Sequence, residues 1–144
     1  MVELSDGSVM LNSRSANGLM QRKTAISNDG GENWTGLIDD PNLVEPICMG
    51  SIIRYSFADK RNKSRIIFAN PATKVGRMFG SLKLSYDEGK TWEMEKCIYN
   101  GSYAYSSICK MKNDNIGVLF ERDEYSSISF MPVNLEWLTS NQEK

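Results

Sequence analysis

Ser27-Asn28-Asp29-Gly30-Gly31-Glu32-Asn33-Trp34 and Ser85-Tyr86-Asp87-Glu88-Gly89-Lys90-Thr91-Trp92 are two versions of one pattern, Ser-x-Asp-x-Gly-x-(Thr/Asn)-Trp. Each octapeptide describes a self-contained turn. The aspartate can accept hydrogen bonds from turn amides, the glycine can take positive φ, and the tryptophan can pack beneath the loop. The two aspartates stand 58 positions apart. Two such turns at that distance point to repeated four-stranded units, because propeller blades recur every ~40 to 50 residues. In this reading each turn joins the third strand of a blade to the fourth, on the rim away from any ligand.

The flanking sequence supplies the strands. Leu4 and Val9-Met10-Leu11 bracket an Asp6-Gly7 turn, a hairpin signal. Met20 to Ile26 alternates and leads into the first octapeptide. Between the two copies, Cys48 to Tyr55 and Arg65 to Asn70 read as strands parted by the charged loop Asp59 to Lys63, and Met78 to Leu84 feeds the second copy. Beyond it, Met94 to Ile98, Ser106 to Met111, Ile116 to Glu121 and Ser127 to Met131 are separate strand signals. No segment sustains a helical period apart from a single turn at Leu135-Glu136-Trp137-Leu138, so the expected class is all-β.

The bulk composition narrows the chemistry. The chain has 144 residues and 40% hydrophobic content, enough for a buried core, and its 17 basic and 18 acidic residues leave a net charge of -1. That balance suggests neither a nucleic-acid partner nor an anionic membrane surface. Histidine is absent, which removes Ser-His-Asp and Cys-His systems and the usual imidazole zinc sites. Cys48, Cys97 and Cys109 lack metal-type spacing and sit in apolar runs, so they read as buried free thiols. No run approaches the ~18 apolar residues of a membrane span.

Gly101-Ser102-Tyr103-Ala104-Tyr105-Ser106-Ser107 follows the second turn and places tyrosines at the start of an apolar run. Tyr105 is the candidate nucleophile, with Tyr103 the competing choice. A phenol with an unperturbed pKa of about 10 needs a base beside it, and Glu3 is the carboxylate assigned to that role. A neutral nucleophile suits a sugar that carries its own carboxylate next to the reacting carbon, where an aspartate or glutamate would meet like charge; sialidases are the known case of a tyrosine in this role.

With both turns, known as Asp boxes, and with Glu3, Arg22, Arg77 and Ala104-Tyr105-Ser106-Ser107 in place, the chain resembles the C-terminal half of exo-α-sialidases of the bacterial and animal Asp-box type, from Val2 to Leu138. The resemblance implies one domain unit over residues 1–144, part of a six-bladed β-propeller of which the chain makes about three blades of four antiparallel strands. It also implies a retaining glycosidase that removes terminal sialic acid from glycoproteins, glycolipids or oligosaccharides. Tyr105 is then the nucleophile and Glu3 its general base. Arg22, seven residues before Asp29, and Arg77, eight before Ser85, are the second and third arginines on the substrate carboxylate. A guanidinium fork matches a carboxylate bidentately, which a lysine does not. Glu121 orients the first arginine, or else pairs with Arg122; Arg14 is set aside as a loop-supporting residue. No metal or other cofactor is expected.

The family's first arginine and its acid/base aspartate have no counterpart after Met1. The expectation is therefore a piece of a longer protein, completed by an N-terminal propeller half and with little activity alone. By resemblance the parent is secreted, in the cell envelope or lysosomal. A propeller that binds glycan or protein without catalysis, and a trans-sialidase, are the alternatives.

Overall fold

The structure is a computed structural model that describes residues 1–143. It is all-β apart from one helical turn. Strands β1 (Val2–Glu3), β2 (Val9–Ser13), β3 (Gln21–Ser27) and β4 (Ile38–Val44) form an antiparallel sheet in chain order. Strands β5 (Ser51–Ser56), β6 (Arg65–Pro71), β7 (Met78–Ser85) and β8 (Met94–Lys110) form a second, again in chain order. β8 then runs on to pair with β9 (Ile116–Arg122), and β9 with β10 (Ser127–Val133), giving a third unit. That unit has three strands among the described residues rather than the expected four. The short helix α1 (Leu135–Leu138) follows, capped by the Asn134 side chain, which accepts from the Trp137 amide at 2.7 Å.

Both Asp boxes fold alike and sit where expected, between β3 and β4 and between β7 and β8. In the first, Asp29 Oδ1 accepts from the Ser27 hydroxyl at 2.8 Å and the Asn33 amide at 2.9 Å. In the second, Asp87 Oδ1 accepts from the Ser85 hydroxyl at 2.9 Å and the Thr91 amide at 2.8 Å. The positions after the aspartates are left-handed in both, Gly30 at φ 74° and Glu88 at φ 64°. Only glycine is at ease there. Glu88 is held by its carboxylate instead, which accepts from Arg54, from Ser64 and from the Ser5 amide at 2.9 Å. The second box is thereby tied to the β1–β2 turn.

Two differences from the sequence reading have physical causes. β4, the fourth strand expected after the first box, falls on Asp39-Asp40-Pro41-Asn42, a stretch whose residues suit a turn. It is an edge strand, and its pairing with β3 jumps from Asp40 to Val44, so Pro41 falls in an irregularity where its missing N–H costs no ladder bond. The separate strands expected at 94–98 and 106–111 are one 17-residue strand, because the backbone stays extended through Asn100-Gly101 while its partner changes from β7 to β9.

The core lies between the units. Val2, Leu4, Met10 and Ile66, with Trp92, fill the space between the first two sheets. Ile67, Leu82, Leu84, Tyr103, Ile108, Val118, Phe120 and Leu138 fill that between the second and third. Cys48 is buried as expected, but Cys97 and Cys109 are exposed, since they fall on the outward side of β8; all three are free thiols.

Candidate functional site

Tyr105 owes its position to an irregularity of β8. Tyr103 pairs with Arg122 and Ser106 with Phe120, so two residues, Ala104 and Tyr105, stand opposite the single residue Glu121. Such a bulge turns one side chain out of the sheet and leaves an amide without a ladder partner. Glu121 Oε2 accepts that amide, Tyr105 N–H, at 3.2 Å. Glu121 therefore serves Tyr105 directly, and Arg122 pairs with Asp123 instead.

The phenol is 37% exposed and borders two open cavities of about 420 and 210 Å³ that also share Met49. Tyr103, by contrast, is wholly buried, stacked on Phe120 at 5.0 Å between ring centroids, and burial pushes its phenol up. It is a core residue, so the competing choice of nucleophile falls.

Two guanidinium groups flank Tyr105. Arg14 Nη1 stands 3.5 Å from the phenol oxygen. Arg77 Cζ lies 5.1 Å from the ring centroid. Arg77 is fixed from behind: its Nη1 donates to the Tyr125 hydroxyl at 2.9 Å and its Nη2 to the Ile47 carbonyl at 3.2 Å. Its own carbonyl accepts the Tyr103 amide at 2.8 Å, so Arg77 and the bulge are coupled through one backbone bond.

Of the other two expected residues, Arg22 borders the larger of these cavities from beneath and Glu3 borders neither. Arg22 is 2% exposed. It donates to the Asn12 side chain at 2.7 Å and the Cys48 carbonyl at 2.7 Å, and faces the fully buried Glu45 at 3.8 Å. Burial pulls its pKa down to about 10, against the opposing pull of Glu45. Each of its three nitrogens donates to Asn12 or Cys48, and the residue is buried, which sets it in the floor of the cavity. Arg22 was chosen by its distance along the chain from Asp29. That distance counts residues in β3 but does not say which way a strand side chain faces.

Glu3 is exposed and borders neither cavity at Tyr105. Its carbonyl accepts from Arg54 Nη2 at 2.8 Å, on the side of the second Asp box. Among the described residues, no carboxylate makes a hydrogen bond to the Tyr105 hydroxyl. The reading of Glu3 as the base beside Tyr105 is thus corrected. Glu3 stands beside the β1–β2 turn, at the end of β2 away from Arg14 and Tyr105.

Arg14 is the residue that sequence reasoning set aside. Its signal was its place just past the end of an apolar strand, Val9 to Ser13, at the start of a loop. There a side chain reaches a site more readily than from mid-strand. Tyr125, Ile47 and Glu45 carried no signal of their own. Two guanidinium groups beside a phenol that borders an open cavity have the chemistry to take a small carboxylate-bearing ligand, with the phenol oxygen at its edge. Among the described residues, no group of side chains is arranged to hold a metal ion.

No protein-family model matches the chain. In sequence it is 36% identical, over 141 residues, to a sialidase of Micromonospora viridifaciens, a match that covers 95% of this chain and 21% of that protein. A sialidase of Bacteroides fragilis is 32% identical over 141 residues, across 94% of this chain and 26% of its own length. Among solved structures, the NanB sialidase of Streptococcus pneumoniae superposes with a TM-score of 0.84 at 26% identity, over 96% of this chain and 23% of that one. A leech intramolecular trans-sialidase superposes with a TM-score of 0.83 at 22% identity, a likeness of fold alone. The chain thus spans about a quarter or less of the length of these relatives.

Proposed function

Since this chain is a homologue of one part of the sialidases, we propose that it supplies the tyrosine nucleophile and two carboxylate-binding arginines of an enzyme that removes terminal sialic acid from glycoconjugates. The supporting observation is the placement of Tyr105 between Arg14, 3.5 Å from its hydroxyl, and Arg77, 5.1 Å from its ring. The two guanidinium groups take the sugar carboxylate, which sets the neighbouring anomeric carbon over the phenol oxygen.

In the first step the Tyr105 oxygen bonds to the anomeric carbon as the glycosidic C–O bond breaks. The phenol proton passes to a base, and the leaving oxygen takes a proton from an acid. In the second, water displaces the tyrosine at the same carbon. Two inversions give net retention. With no carboxylate of the described residues hydrogen-bonded to the phenol oxygen, both the base and the acid come, in this reading, from other segments of the ring. The segment alone then lacks turnover.

The test is hydrolysis of a fluorogenic sialoside by the full-length protein. Tyr105→Phe is expected to abolish retaining turnover while sialic acid still binds. Near-normal hydrolysis would refute the nucleophile role, and sialic acid binding with no hydrolysis in the unaltered protein would favour a glycan-binding propeller instead.

A further inference from the structure

We infer that Glu45, buried behind the site and touching no cavity there, is the positioning residue that holds both carboxylate-binding arginines in place; the inference rests on the arginine clamp proposed above. Glu45 is 0% exposed, and its groups are spent on two loops. Its Oε1 accepts the Ser15 amide at 2.7 Å, immediately after Arg14, and its backbone amide donates to the Met20 carbonyl at 3.0 Å. The loop that carries Arg14 is therefore fastened at both ends to one residue. Its Oε2 accepts the Cys48 amide at 2.6 Å. That bond closes the turn Glu45-Pro46-Ile47-Cys48, in which Ile47 sits at φ 55°. A β-branched residue is strained in that conformation and stays there only when its surroundings impose it. The Ile47 carbonyl so placed is the one that accepts from Arg77 Nη2.

Arg22 completes the bracket. It faces Glu45 at 3.8 Å and donates to Asn12 and to the Cys48 carbonyl, so the same buried pair grips the chain before Arg14 and after Ile47. Glu45 thus uses both carboxyl oxygens as acceptors, one for each loop. Glutamine has the same shape but one oxygen. In Glu45→Gln an amide N–H₂ faces either the Ser15 or the Cys48 N–H, donor against donor, and one of the two loops is released.

The experiment titrates the full-length protein by NMR with N-acetylneuraminic acid and, separately, with its methyl ester, which lacks the carboxylate charge. The unaltered protein is expected to prefer the acid. In Glu45→Gln, acid binding is expected to weaken about tenfold, the effect of one misplaced charge-assisted hydrogen bond, while ester binding changes less than twofold. Asn12→Ala, which frees one Arg22 donor and leaves Glu45 intact, is expected to narrow the acid-to-ester gap in the same direction and by less, and it keeps the test open if Glu45→Gln does not fold. Equal weakening of acid and ester, or an acid preference retained in both variants, would overturn the positioning role and leave the clamp standing. An unaltered protein with no preference for the acid would remove the clamp, and this inference with it.

Discussion

Glu121 accepts the Tyr105 amide at 3.2 Å where two residues of β8 stand opposite one of β9. The irregularity that turns the phenol outward is thus closed by the side chain of the residue it bulges against. Removing the acceptor leaves an amide without its partner and the bulge free to shift. Glu121→Ala is expected to cost about 0.5–1.5 kcal/mol of stability, since the bond is exposed and water can take the freed amide. It is also expected to lower kcat/KM for a sialoside at least tenfold, since a displacement of order 1 Å at a nucleophile costs about a hundredfold. Urea unfolding and steady-state kinetics on the same preparation check both.

Arg14 and Arg22 should separate cleanly in experiment. Arg14 is exposed beside the phenol, so Arg14→Ala is expected to leave Tm within a degree or two and to raise KM about ten- to hundredfold, the value of a charge-assisted bond to a ligand carboxylate. Arg22 is buried against Glu45 at 3.8 Å, and Arg22→Ala leaves that carboxylate unpaired, at a cost of about 3–5 kcal/mol. The reverse pattern, a stable Arg22→Ala protein with a raised KM, would restore Arg22 as the ligand-binding arginine.

Much of this architecture was legible because turn chemistry is local. The Asp boxes carry their own hydrogen-bond partners within eight residues, so Ser27 to Trp34 and Ser85 to Trp92 announce their geometry without reference to the rest of the chain. That Tyr105, Arg77 and Glu121 are neighbours follows for a related reason: they lie on the connected stretch β7 to β9, where order along the chain follows neighbourhood in space. Arg22 and Glu3 lie on the first sheet, where that link fails. The first sheet packs on the second without sharing a ladder with it, and which of two arginines, eight positions apart, reaches the Tyr105 hydroxyl depends on strand facing and on a buried glutamate further along the chain. The strand expected after the first box had no residues assigned to it, because proline and two aspartates in a row describe a turn equally well.

Gly80 reports on the same packing from the other side. A Cβ placed there would meet the Tyr103 ring at 2.0 Å, far inside contact distance, and Tyr103 is wholly buried. Gly80→Ala is expected to cost about 1–3 kcal/mol or more, as overpacked cores do, and to lower Tm by several degrees. Because Tyr103 begins the bulge, activity should fall further than the loss of folded protein accounts for.

Acid stability should be governed by the boxes. Asp29 is held at about 2, below its ordinary value of 3.8, first by the Asn33 amide, then by the Asn33 and Ser27 side chains. Burial pushes the Glu88 carboxyl up, but bonds from Arg54, Ser64 and Ser5 outweigh it and set it at about 2, against 4.5 when free. A carboxyl whose pKa is lower in the folded state binds fewer protons there than in the unfolded chain. Its contribution is whole above the unfolded value and is lost as pH falls through the folded one. Stability from these groups is therefore expected to be flat above pH 4.5 and to fall steadily between pH 4.5 and about 2. In Glu88→Gln, which keeps the shape and cannot titrate, urea midpoints should decline less steeply across that window. A Glu88→Gln protein whose midpoints fall in parallel with the unaltered one would assign the acid loss to other carboxylates.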